Sequence, residues 1–85
     1  MKALTEAINA AQREVAERTR AVKVAIKLAR RELDVLERTT AKRRYSYQAF
    51  DVDNAAQNVT FHFMLLVAAD RKLQALSELA REKGA

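Results

Sequence analysis

The sequence predicts an all-α fold, an antiparallel two-helix hairpin whose helices pack like a coiled coil. The second half of the chain carries a heptad of apolar residues, and the first half repeats apolar residues at every third or fourth position. The chain also has no proline and one glycine, and it is rich in alanine, leucine, arginine, glutamate and lysine, a composition that favours helix. We expect one domain, residues 1–85.

The predicted second helix, about residues 43–82, organises the rest of the chain. Its apolar heptad is unbroken, at Tyr45, Val52, Val59, Leu66, Leu73 and Ala80. Intermediate apolar positions fall on both sides of it, at Ala49, Ala56 and Phe63 on one side and Ala55, Ala69 and Leu76 on the other. Such spacing predicts a long helix that buries a seam against another helix. Residues 59–69 are apolar almost all round, which indicates contacts on more than one side.

A first amphipathic helix is predicted over about residues 3–37. Its apolar residues are separated by three or four positions and interrupted only at Arg18: Leu4, Ile8, Ala11, Val15, Val22, Ile26, Ala29, Leu33 and Leu36. A weaker second apolar line runs beside them, at Ala21, Val24, Leu28 and Val35. The middle of this helix is therefore expected to contact two neighbours.

The turn is predicted at about residues 38–42, because residues 37–44 contain one small apolar residue and interrupt both apolar patterns. Thr39 and Thr40 can cap a following helix there. Two alternatives remain open. A turn at residues 51–54 would use Asn54 and Gln57 as a capping box. The alternating β-forming residues within 45–63 are also compatible with a β-hairpin.

Enzymatic chemistry is not expected, and neither a cofactor nor a metal is predicted. The chain has no cysteine nucleophile and no glycine-rich phosphate loop. Its one histidine, His62, lies beside the predicted seam, where partial burial at an interface explains it better than general-base catalysis. Residues 51–54 lack the glycine and the closing glutamate of a calcium loop.

Protein partners are expected from the apolar half of the second helix. The five aromatic residues cluster between positions 45 and 63, more than a two-helix hairpin can bury. A chain of 85 residues without cysteine also needs further support, so we expect a homo-oligomer or one half of a heteromeric bundle. The predicted partner-binding residues are Phe50, Val59, Phe61, Phe63, Leu66 and Val67.

The positive charge supports an alternative, a small nucleic-acid-associated protein. Sixteen lysines and arginines against eleven acidic residues give a net charge of +5. The candidate contacts to an anionic partner lie opposite the seam of the first helix, at Arg13, Arg20, Lys27 and Arg31. A solvated face explains them more simply, since glutamates flank the line and base-stacking aromatics are missing from it.

A cytoplasmic location is expected. The longest uncharged apolar run, residues 59–69, is shorter than the roughly 20 residues that a membrane-spanning helix requires. Residues 1–6 contain no continuous hydrophobic core of the kind found in a secretory signal. The lack of cysteine fits a reducing compartment.

Several short motifs carry a family resemblance. The segment Leu28-Ala-Arg-Arg-Glu-Leu33, a polar turn, Tyr47-Gln-Ala-Phe50 and the apolar residues 63–67 resemble the small co-chaperones of type III secretion needle subunits, over roughly residues 25–70. The resemblance implies a short helical hairpin that pairs with a repeat-type chaperone and keeps a polymerising needle subunit soluble in the cytoplasm. The chain departs from that pattern in being more basic and in having no glycine, proline or aspartate at 37–44.

The function expected from all of these features is non-enzymatic protein–protein interaction. A chaperone or adaptor would use the apolar part of the second helix to bind its partner. A structural subunit of a larger particle would carry the same sequence features, so both possibilities stay open here.

Overall fold

The described part of the chain consists of two long α-helices. In the computed structural model, α1 spans Lys2–Ala41 and α2 spans Gln48–Gly84. The structure describes residues 2–41 and 48–84, with side chains for 2–41 and 51–84. The two helices pack against each other in a rod of 63 × 15 × 13 Å, and no strand occurs within the described ranges. The predicted all-α helical hairpin is confirmed.

The helices are antiparallel. Val15 and Thr19, early in α1, line a groove together with residues between Phe63 and Gln74 of α2. Ala25 and residues after it in α1 line a second groove with residues 51–61 of α2. Later positions in α1 therefore lie beside earlier positions in α2.

The seam of α1 follows a strict heptad. Ala11, Val22 and Ala25 are its buried residues. Beyond Val22 the sequence pattern had suggested that the seam passes through Leu33, but Leu33 is exposed and Glu32 is half-buried instead. A spacing that alternates between three and four residues keeps one stripe of α1 facing α2. This stripe includes polar residues such as Glu32, which a pattern of apolar residues alone does not identify.

The seam of α2 decides between the two sets of intermediate positions. The heptad residues Val52, Val59, Leu66, Leu73 and Ala80 are half-buried, as are Ala55 and Leu76, and Ala69 is buried. Ala56 and Phe63, from the other set, are exposed. Ala55, Ala69 and Leu76 lie within the seam because each of them follows a heptad residue by three positions.

Small residues mark the closest packing of the two helices. Ala11, Ala25 and Ala69 are 3%, 3% and 5% exposed, whereas Val22 is the one larger side chain that the described residues bury. A hairpin covers each helix on one side only, so most large apolar side chains stay partly in contact with water. The flanks of the seam are the surfaces available to a partner.

The predicted turn begins too early. Residues 38–41 are helical, and the Thr39 hydroxyl donates to the Val35 carbonyl oxygen at 2.7 Å. A threonine inside a helix satisfies its hydroxyl on the preceding turn in this way, so Thr39 and Thr40 do not cap a following helix. Residue 42, where the predicted turn ends, and residues 43–47, predicted to open the second helix, lie outside the described residues.

Both alternatives to this turn were wrong within the described range. Residues 51–54 lie inside α2, where Gln57 Nε2 donates to Asp53 Oδ2 at 2.9 Å across one helical turn. Residues 48–63 are helical, so the proposed β-hairpin is absent there, and residues 45–47 are outside the described part. The seam along α2 overrides the local β-propensity, which depends strongly on context.

Candidate protein-interaction site

Two phenylalanines of α2 project on opposite flanks of the seam. Phe61 and Phe63 are 56% and 54% exposed. Successive residues of an α-helix are rotated by about 100°, so residues two apart point roughly 200° apart. The structure thus gives the hairpin two separate apolar surfaces.

The first surface is called the Phe61 face and consists of Ala21, Val24, Leu28, Phe61 and Leu65. Leu28 and Phe61 line one groove together. Val24 lies one turn before Leu28, and Leu65 lies one turn after Phe61, so each extends the same side of its helix. Val24 is 58% exposed and Leu28 is also exposed. Polar side chains border this face toward the start of α2.

The second surface is called the Phe63 face and consists of Val15, Thr19, Phe63, Leu66 and Val67, which line a common groove. The Thr19 hydroxyl donates to the Val15 carbonyl oxygen at 2.8 Å, so its hydrogen is already bonded inside α1. Leu66 and Val67 are half-buried and form the floor, while Phe63 rises above it. Both helices therefore contribute to one apolar groove.

Basic side chains border the Phe63 face along α1. Ile26 lies seven residues after Thr19, hence on the same side of α1, and it lines a shallow depression with Lys23, Lys27 and Arg30. At the α2 end of the groove, Asp70 Oδ2 accepts a hydrogen bond from Gln74 Nε2 at 3.0 Å. Arg71 lines the groove beside Asp70, so α2 contributes charges of both signs, whereas the charged residues around Ile26 on α1 are all basic.

The structure distributes the predicted partner-binding residues over three places. Phe61 belongs to the Phe61 face, and Phe63, Leu66 and Val67 belong to the Phe63 face. Val59 occupies the seam and is half-buried. The side chain of Phe50 lies outside those that the structure describes. The role of these residues in binding stays a prediction.

The predicted partner-binding residues leave out five exposed apolar side chains. Val24 and Leu28 belong to the second apolar line, which was expected to contact a neighbour, Leu33 was placed in the seam, and Met64 and Leu79 were not singled out. Met64 is 64% exposed. A strict three-and-four alternation continued beyond Val22 would have placed Leu33 outside the seam. No comparable pattern in the sequence marks Met64 or Leu79 as exposed.

His62 occupies a seam position of α2. Its side chain is half-buried, and its Nδ1 atom is buried without a hydrogen-bond partner within the described part of the chain. Its ring packs edge-on against Phe61, with centroids 5.5 Å apart and planes at 67°. No group of acidic, histidine or cysteine side chains among the described residues is arranged to hold a metal ion. Packing accounts for His62.

The basic line of α1 is exposed but short. Arg13, Arg20 and Lys27 recur every seven residues and are all exposed, and Glu6 and Asp34 occupy the next positions at the two ends. Seven helical residues rise about 10 Å, so the three cations extend over about 20 Å. Arg31, the fourth predicted contact, is exposed one turn beyond Lys27.

Comparison with known proteins adds no assignment. No protein-family model, curated protein or solved structure matches this chain. The resemblance to needle-subunit co-chaperones therefore stays a prediction. Neither of the described helices contains an apolar stretch long enough to cross a membrane.

Proposed function

We propose that this protein is a non-enzymatic assembly protein whose Phe63 face binds an amphipathic helix of another protein. The observation that supports this most directly is the half-exposed Phe63 above a groove that α1 and α2 line together. An aromatic side chain beside a preformed apolar groove is a common anchor at helix-in-groove interfaces.

The charge around the groove specifies the partner further. Lys23 and Arg30 border the apolar surface on the α1 side, next to Ile26. A partner helix that lays its apolar stripe into the groove would place its flanking residues near these cations. Acidic flanks would be attracted and basic flanks repelled. The proposed partner is therefore an amphipathic helix with glutamate or aspartate beside its apolar stripe.

The specific form of this proposal is a cytoplasmic chaperone or adaptor similar to the co-chaperones of type III secretion needle subunits. Such a protein covers an aggregation-prone helix until the helix reaches its assembly. The motifs within residues 28–50 and the apolar residues 63–67 support this form. A subunit that stays in a larger particle would use the same groove permanently, and slow exchange of the partner would distinguish it.

Designed peptides test the binding mode. Two helical peptides with the same apolar stripe, one with glutamate flanks and one with lysine flanks, would be titrated into the protein. We expect the acidic peptide to bind more tightly than the basic one. Phe63→Ala should weaken the binding of the acidic peptide at least tenfold, since truncating an aromatic anchor residue to alanine typically loses about 2 kcal/mol or more of binding free energy. Met64→Ala is the matched control, because Met64 is at least as exposed as Phe63 but does not line the groove.

Cross-linking in the source cell tests the partner. A photoreactive phenylalanine analogue at position 63 should capture one defined protein, and the cross-link should map to an acidic amphipathic helix. The same analogue at position 64 should not. If Phe63→Ala bound the acidic peptide as well as the unaltered chain does, the proposed groove would be wrong.

The basic line supports a weaker second candidate, binding to nucleic acid. Arg13, Arg20 and Lys27 are exposed and aligned, but Glu6 and Asp34 end the line. Three phosphate contacts would give modest, strongly salt-dependent binding. We therefore rank this candidate below the apolar groove.

A further inference from the structure

We infer that the Phe61 face binds a second copy of this chain, so that two hairpins form a four-helix bundle with each helix antiparallel to its counterpart. This contact lies on the opposite flank from the proposed partner groove. It goes beyond the proposed function, and either contact can exist without the other.

The centre of the Phe61 face is apolar on both helices. Val24 and Phe61 are 58% and 56% exposed, and Leu28 and Leu65 lie one turn away from them along their own helices. In the groove that they share, Ala25 is the first residue from α1 and Phe61 is the last residue from α2. The helices are antiparallel, so both residues lie at the same end of that groove, and Phe61 and Val24 lie at nearly the same level of the rod. Packing this face on another copy would remove these side chains from water and give each helix a second neighbour.

The charges of α1 are self-complementary about Val24. Glu17 lies seven residues before Val24 and Arg31 lies seven residues after it, and both are exposed. The spacing of seven keeps the three residues on one side of the helix. A two-fold axis at Val24 would set Glu17 of each copy opposite Arg31 of the other, forming two opposite-charge pairs across one interface.

The charges of α2 give the same axis independently. Asp51 lies ten residues before Phe61 and Lys72 lies eleven residues after it, and both are exposed. An axis passing between Phe61 and His62 would set Asp51 opposite Lys72 of the other copy. Since Phe61 is level with Val24, one axis satisfies both helices. Agreement between two helices on one axis is what an isologous dimer requires.

The Phe63 face does not have this symmetry. Lys23 lies three residues before Ile26 and Arg30 lies four residues after it. An antiparallel copy of α1 centred there would bring Lys23 opposite Arg30, and like charges across an interface are repulsive. The Phe61 face is therefore the one assigned to a second copy.

Charge reversal with mixing tests the pairing. Glu17→Arg alone and Arg31→Glu alone each place like charges at both pairs, and we expect each to weaken dimerisation at least tenfold in sedimentation equilibrium. Mixing the two variants in equal amounts pairs opposite charges twice and should restore dimers, now heterodimers. Arg30→Glu is the control, because Arg30 is exposed on the opposite flank of α1, beside Ile26, and should leave dimerisation unchanged. Circular dichroism checks that every variant keeps its helix.

A cysteine at the axis provides a second measurement. The chain has no cysteine of its own, so Val24→Cys introduces a single thiol that should meet its counterpart and form a disulfide-linked dimer under mild oxidation. Met64 is at least as exposed as Val24, and Met64→Cys should run as a monomer on the same denaturing gel.

Any of four results would overturn the inference. The first three are a monomeric unaltered chain at about 100 µM, a mixture of the two charge variants that stays monomeric, and equal cross-linking at positions 24 and 64. A dimer that Phe63→Ala abolished, with both charge variants dimerising normally, would assign self-association to the other face and would also overturn it.

Discussion

Phe61 and Phe63 are separated by one residue in α2, yet they border different grooves of the hairpin. Phe61 lines a groove with Ala25 and Leu28, whereas Phe63 lines one with Val15 and Thr19. The residue between them, His62, lies in the seam, so the two rings project on either side of it. These two aromatic residues are neighbours in one sequence cluster, but in the structure they belong to two different surfaces. We therefore expect variants at Phe61 and at Phe63 to lose different interactions, and each variant requires its own binding assay.

Replacing His62 with leucine should stabilise the hairpin. The Nδ1 atom is buried without a hydrogen-bond partner in the described part of the chain, and an unsatisfied buried polar atom costs about 1–3 kcal/mol. We expect His62→Leu to raise the free energy of unfolding by about 1 kcal/mol in urea titrations at fixed protein concentration. His62→Asn, which keeps a polar group at this position, is the control and should not stabilise. A lower stability for His62→Leu would indicate that Nδ1 has a partner.

Enlarging a buried alanine should separate the helices. Ala69 is 5% exposed at the seam, and its neighbour Ala68 is exposed. We expect Ala69→Leu to lower the free energy of unfolding by about 1–3 kcal/mol, since overpacking displaces the backbone. Ala68→Leu adds the same volume outside the seam, seven residues after Phe61, and should have little effect on the packing of α1 against α2. Equal losses of thermal stability in the two variants would contradict the seam described above.

Truncation of a seam leucine should weaken the hairpin at every protein concentration. Leu73 is half-buried in the seam, so Leu73→Ala should cost about 1–3 kcal/mol, below the range for fully buried leucines. The melting temperature should fall equally in dilute and concentrated samples, because the lost contact lies within one chain. Phe63→Ala, in contrast, should leave the melting temperature of the isolated chain nearly unchanged. Parallel loss of helix in both variants would remove the distinction between seam and partner surface.

Reversal of the basic line should leave the fold intact. Arg13, Arg20 and Lys27 are exposed, and changing all three to glutamate should leave the helical circular dichroism signal nearly unchanged. If the unaltered chain binds DNA or RNA through this line, three contacts predict a slope of about −3 in log affinity against log salt. The triple variant should then lose that binding. Absence of salt-sensitive binding in the unaltered chain would eliminate the nucleic-acid candidate.

The sequence determined the helical hairpin, because periodicity and composition act over whole helices. The unbroken heptad of α2 predicted a helix even where β-forming residues alternate around Phe61, and α2 is helical there. It also identified the heptad line that includes Leu66 and Leu73 as seam. These features repeat over many turns, so a single misleading residue does not alter them.

Only the tertiary structure decided which flank each side chain occupies. In the sequence, Glu32 and Leu33 are adjacent, and hydrophobicity favours Leu33 for the seam; in the hairpin the heptad of a supercoiled pair places Glu32 there and exposes Leu33. The division between Phe61 and Phe63 has the same origin. Side chains of successive residues point about 100° apart around the helix axis. The position of the other helix determines which of these side chains is buried.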